Sequence, residues 1–85
     1  MKPDAYDQAV RCFEIIATAL TEAGASLDQV VRTRTYLVEA SDSEAVGKAH
    51  GHVMARALPA ATMVVVNELL DPRWKVEIEA EAVIS

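Results

Sequence analysis

From Trp74 to Ile84 the chain alternates without a break, with Val76, Ile78, Ala80, Ala82 and Ile84 on one face and Lys75, Glu77, Glu79 and Glu81 on the other. A period of two sustained over this length fits a strand with one covered and one polar face, and a slip of one residue would bury the glutamates. Any fold for the chain therefore contains a sheet whose last strand lies against an apolar layer. The upstream sequence offers that layer. Tyr6, Val10, Phe13, Ile16, Ala17 and Leu20 recur at three- and four-residue spacing, which predicts an amphipathic helix from Asp4 to Ala23, capped by Asp4 and ended by Gly24. A second helix is predicted from Ser41-Asp42-Ser43-Glu44, with Ser41 or Asp42 as its cap, to about Ala57 along the stripe Ala45, Val46, Ala49, Val53 and Ala57.

Two further strands complete the pattern. Gln29 to Val38 is β-branched and places Val31, Thr33, Thr35 and Leu37 on one side and Val30, Arg32, Arg34, Tyr36 and Val38 on the other. Thr62 to Val66 is apolar at nearly every position, which predicts an interior strand covered on both faces. Asn67 to Arg73, with Asp71-Pro72, reads as a loop. The order αβαββ makes an α+β layer, and its strand–helix–strand unit implies a parallel pair.

At 85 residues the chain fits a single domain, 1–85, with 52% hydrophobic residues, fifteen alanines and only four aromatics (Tyr6, Phe13, Tyr36 and Trp74). Apolar content this high in so small a unit predicts self-association. Thirteen acids against eight bases give a net charge of −5, with no basic cluster to neutralise phosphates, so nucleic acid is not expected as a partner. No apolar run reaches membrane-spanning length and Cys12 has no second cysteine to pair with, so a reducing, cytoplasmic setting is expected without a membrane partner.

Signatures for metals and phosphates are missing: there is no CxxC, no HExxH and no glycine-rich loop before a helix. His50 and His52 are two apart on a helix, project to nearly opposite sides and so make no paired ligand set, which leaves surface or partly packed histidines and no metal site. Cys12 reads as a small core thiol. Glu77, Glu79 and Glu81 stand about 6.5–7 Å apart on one strand face, where they either form a solvated row with Lys75 as partner or, with water excluded, raise one another's pKa for acid–base work. Arg32 and Arg34 share a face and either grip a substrate carboxylate or pair with that glutamate row across the sheet. Trp74 is a packing anchor or a ligand platform.

The run DAYDQAVRCFEIIATALTEAGASLDQVVRTRTYLVEASDSEAVGKAH, then PAATMVVV and the closing KVEIEAEAVI, resembles the Rid/YjgF family of reactive-intermediate (enamine/imine) deaminases over essentially the whole chain. The most specific parts are AGASLDQVV leading to YLVE, Pro59-Ala60, and VEIEA from Val76 to Ala80. The resemblance implies a chorismate-mutase-like fold with helices on one face of a mixed sheet. It also implies a homotrimer with small-molecule clefts between subunits, and hydrolysis of 2-imino acids with release of ammonia and no cofactor. Some members carry a ribonuclease label, which the acidic charge does nothing to support.

Two departures stand out. Members of the family usually begin with additional strands that complete the sheet, so relative to them this chain is short at its N-terminus, and the strand edge left free is expected to be paired with another chain, covered or mobile. The deaminating branch reads Pro-Ala-Arg where this chain has Pro59-Ala60-Ala61, and that Arg holds the substrate carboxylate. Gly47 stands where an asparagine is often found, while the glutamate that positions the attacking water is matched by Glu77. A carboxylate desolvated without its Arg argues against deamination of 2-imino acids. The enzyme reading keeps Glu77 as the catalytic group, with Arg34 and the backbone around Ala61, Thr62 and Met63 binding the substrate. A binding reading keeps the cleft without turnover, and a structural reading makes the chain an assembly module.

Overall fold

The computed structural model describes residues 4–84. Helix α1 runs Ala5–Glu22, strand β1 Val30–Leu37, helix α2 Ser43–Val53, strand β2 Ala60–Val65 and strand β3 Val76–Ala82. The sheet order is β2-β1-β3, with β1 parallel to β2 and antiparallel to β3. The fold is the α+β layer that the periodicities predict, and the parallel pair joined through α2 is present.

Local chemistry sets the ends of α1. The Asp4 side chain accepts hydrogen bonds from the N–H groups of Tyr6 (2.7 Å) and Asp7 (3.3 Å), satisfying two donors of the first turn. Gly24 follows the C-cap with φ +83, a conformation that costs a residue with a Cβ. The second helix departs from expectation at both ends. A 3-10 turn over Ala40–Asp42 feeds directly into it, so Asp42 sits at the N-cap with helical angles and its side chain makes no capping bond. It also stops at Val53 rather than near Ala57. Leu58 adopts φ +47 and its N–H returns to the Met54 carbonyl at 2.9 Å, closing the turn between the helix and Pro59.

Both helices cover β1 and β3. One part of the core joins Ala5 and Ala9 of α1 to Val46 and Ala49 of α2 over Leu37 and Val76. The other gathers Phe13, Val30 and Met54, flanked by Ile16, Leu20, Leu27 and Val53. The alternation in β1 breaks at its start, where a bulge between Val30 and Arg32 carries Val30 into the core and leaves Val31 exposed, the reverse of a uniform period of two. From Arg32 onward, buried Thr33, Thr35 and Leu37 alternate with Arg32, Arg34 and Tyr36 as the sequence predicts.

The expectation of an interior strand at Thr62 to Val66 is not met. β2 is an edge strand, and all six of its residues are exposed. β1 takes the interior place because it is paired on both sides, and the two helices pack over β1 and β3 and leave β2 uncovered. The outer edge of β3 is likewise without a strand partner among the described residues.

Gln8 ties α1 to the segment entering β3. It is 2% exposed; its amide nitrogen donates to the Arg73 carbonyl (3.1 Å) and its amide oxygen accepts from the Lys75 N–H (2.7 Å). Replacing it by Ala removes both bonds and leaves backbone groups without partners, so Gln8→Ala is expected to lower unfolding free energy by about 1–3 kcal/mol in urea denaturation followed by circular dichroism.

Candidate functional site

Paired residues share a face of the sheet, so the register assigns every side chain. Facing the helices are Thr33, Thr35 and Leu37 of β1, Ala80, Ile78 and Val76 of β3, and Ala61, Met63 and Val65 of β2. On the open face the rows run Ala60, Arg32 and Glu81; then Thr62, Arg34 and Glu79; then Val64, Tyr36 and Glu77. The charged candidates of two strands thus meet on one surface.

Arg34 is the hub of that surface. Its Nε lies 3.4 Å from Glu79 and its Nη2 3.2 Å from Glu81, and the Tyr36 hydroxyl donates to Glu79 at 2.5 Å. The donation to Glu79, joined by the neighbouring carboxylate charges, pushes the Tyr36 hydroxyl above its ordinary pKa. Of the two roles open to Arg34, cross-strand pairing is the one the protomer displays, and Arg34 rather than Lys75 is the partner of the glutamates. All three glutamates are exposed within one protomer. Thr62 stands beside Arg34 in register, and Glu77 lies one row further along and makes no ion pair among the described residues.

Beside Glu77 the loop after β2 encloses a hollow of about 710 Å³ lined by Val38, Asn67, Glu68, Leu70, Trp74 and Glu77. The loop is held in shape by Asp71, whose carboxylate accepts from the Arg73 N–H (2.8 Å) and Nε (3.0 Å) and lies 2.6 Å from Nη2. Those Arg73 contacts hold the Asp71 carboxyl down at about 2, so the latch is complete above the ordinary carboxylate range and is lost as pH falls through that value. Trp74 is half-buried and forms a wall of this hollow.

Ala61 and Glu77 are not brought together. They lie on the two outer strands, and Ala61 faces the helix side while Glu77 faces the open side. Met63 shares the side of Ala61. Gly47 lies on the exposed side of α2 with open space where a Cβ would stand. Burial, and then the Glu77 charge, pushes the Cys12 thiol above its ordinary pKa, which suits a packed thiol rather than a nucleophile. Among the described residues no group of three or more His, Cys, Asp or Glu is placed to hold a metal ion, and no helix is long and apolar enough to cross a membrane.

Three contacts escape a reading of the sequence for motifs: Gln8 in its apolar stripe, the Asp71–Arg73 latch, and Tyr36 on Glu79. The last was within reach, because the parity that pairs Arg34 with the glutamates places Tyr36 on the same face.

A sequence profile described as Endoribonuclease L-PSP matches residues 1–84. The chain belongs to this family. It is 35% identical over 79 residues to an uncharacterized protein of Streptomyces coelicolor, a match covering 93% of this chain and 59% of that protein. A crystal structure of a member of the YjgF/UK114 family from Mycobacterium tuberculosis superposes with a TM-score of 0.96 at 37% identity, covering 99% of this chain and 71% of the other. Escherichia coli TdcF with bound serine superposes with a TM-score of 0.89 at 25% identity, over 96% of this chain and 66% of TdcF. The chain spans 48–63% of the length of the curated relatives it matches.

Within this Rid/YjgF fold His50 supports the strand pair that carries Ala61. Its Nε2 lies 2.8 Å from the Thr33 hydroxyl, Thr33 is the register partner of Ala61, and the imidazole meets Phe13 edge to face at 5.8 Å. Burial lowers the His50 pKa below its usual 6.5 and so favours the neutral ring. A lowered value means that the unfolded chain binds the extra proton first, so this contribution to stability is complete above the ordinary histidine pKa and is lost as pH falls through the folded one. Melting temperature is expected to decline between pH 7.5 and 5.5, and His50→Gln is expected to flatten that slope.

Proposed function

We propose that this Rid/YjgF chain binds a small metabolite in clefts between the subunits of a homotrimer. In that site Glu77 orients water against the carbon of a C=N bond, and the edge around Ala61, Thr62 and Met63 contacts the substrate. One observation carries the reading: Ala61 and Glu77 project from opposite faces of the outer strands, so a site using both is assembled between copies. The exposure of all six β2 residues supplies an uncharged edge for such assembly. The serine bound in the TdcF relative is a ligand of the size considered. Hydrolysis consumes water at the imine carbon, with Glu77 taking a proton, and yields a carbonyl compound and ammonia.

β2 carries no charged side chain, so nothing on it takes up a substrate carboxylate; this favours substrates without one. It equally favours the second reading, a cleft that binds without turnover. A ribonuclease activity has little support, because Arg34 is engaged by Glu79 and Glu81 and the net charge is −5.

Sedimentation at micromolar concentration is expected to give a trimer; a stable monomer rejects the shared cleft. Ammonia release from a freshly generated 2-imino acid is expected to stay near the uncatalysed rate, and Ala61→Arg to raise kcat/KM by about 10- to 100-fold, the size of a charge-assisted contact. Adding Glu77→Gln to that variant is expected to abolish the gain. Retention of the gain without the Glu77 carboxylate assigns the water-positioning role elsewhere.

A further inference from the structure

The hollow beside Glu77 has walls of one consistent chemistry. Val38, Leu69, Pro72 and Trp74 supply an apolar lining, and Glu68 and Glu77 supply its charge. Neither glutamate makes an ion pair among the described residues. The third acid of the lining, Asp71, is neutralised by Arg73, and no lysine or arginine of the described residues lines the hollow. Every wall comes from residues 38–77, and the Asp71–Arg73 latch fixes the loop that closes one side. A space of about 710 Å³ with an indole wall and two carboxylates outside any ion pair favours a cation that carries an apolar group, and it disfavours a carboxylate.

We infer that this site takes an iminium ion with an aryl or alkyl substituent and no carboxylate, an assignment that rests on the shared-cleft reading above. Carboxylates beside the C=N nitrogen favour its protonated form, and protonation makes the carbon electrophilic. Glu68 pairs with the cation while its substituent lies against Trp74 and Leu69. Water adds through its oxygen to the iminium carbon as the C=N π pair moves to nitrogen, and Glu77 takes the proton that the water loses. Glu77 then returns that proton to the nitrogen of the carbinolamine. The C–N bond breaks with its electron pair leaving on nitrogen, and the hydroxyl proton passes to the departing ammonia. One iminium ion and one water thus give one carbonyl compound and one ammonium ion. Oxidation of a primary amine is the class of reaction that supplies such a substrate.

The test titrates the full chain with benzamidine, a stable cation whose aryl group carries a planar C=N bond, and reads the emission of Trp74, the single tryptophan. Saturable binding is expected, weaker by about tenfold or more for benzoate, which reverses the charge, and for acetamidine, which lacks the ring. Glu68→Gln and Leu69→Ser are each expected to weaken it about three- to tenfold, and Glu22→Gln, at the far end of α1, to leave it unchanged. Hydrolysis of benzophenone imine, an isolable imine without a carboxylate, is expected to run about tenfold or more above its uncatalysed rate, and Glu77→Gln to abolish the acceleration. Absence of saturable benzamidine binding, equal binding of benzoate, or indifference to Glu68→Gln overturns the inference and leaves the shared cleft standing. Selective benzamidine binding without hydrolysis overturns the cation as a substrate, in favour of a cleft that binds without turnover. A monomer that binds benzamidine selectively and hydrolyses the imine overturns the shared cleft and supports the substrate class.

Discussion

The placement of β1 between a parallel neighbour and an antiparallel one governs the rest of the molecule. Each β1 residue after the bulge is fixed in register on both sides, so two period-two patterns, Thr33-Thr35-Leu37 and Arg32-Arg34-Tyr36, are imposed on the whole sheet. The first belongs to the helices, and the second gathers all the sheet's charge. The bulge at Val31 lets both hold together, because it returns Val30 to the Phe13 and Met54 cluster without shifting the arginines.

That division explains the electrostatics of the open face. Three glutamates in a row on an otherwise empty surface would repel one another, and Arg34 sits where it reaches two of them at once while Tyr36 donates a further bond. Exposed pairs of this kind each contribute little, about 0–1 kcal/mol, so their main effect is to set charge distribution rather than to hold the fold. The carboxylate left over is Glu77, beside the hollow formed by the Asp71-latched loop. The position that this Rid/YjgF family reading assigns to water activation is thus the one of the three that makes no ion pair among the described residues.

Much of this was readable from residue order. The alternation from Val76 to Ala82, the stripe of α1 and the Asp4 and Gly24 signals are local, and local chemistry decided them. The pairing of Arg34 with the glutamates followed from parity alone. What escaped depended on partners distant in sequence or on packing. An apolar run such as Ala60–Val65 looks interior whether its cover comes from the same chain or from another, and only the sheet order distinguishes the two. Gln8 looks like an interruption of a helical stripe until the backbone of residues 73 and 75 is seen against it. The turn between Val53 and Pro59 depends on the backbone angle of Leu58, which no side-chain pattern encodes. The geometry of the candidate site was not legible, since parity separates Ala61 from Glu77 only once their strands have been ordered.

β2 also bears on the life of the newly made chain. A six-residue segment with no charge and no internal proline, exposed on both faces and free along one edge, has the composition that stacks into fibrils. Pro59 at its entrance and Glu68 beyond its end act as gatekeepers outside the strand rather than within it. An isolated protomer is therefore a hazardous species, and its residence time between leaving the ribosome and finding cover sets how much of the protein enters aggregates. In the proposed assembly, burial of β2 would make the rate of association, as well as the stability of the fold, a determinant of how much protein escapes aggregation.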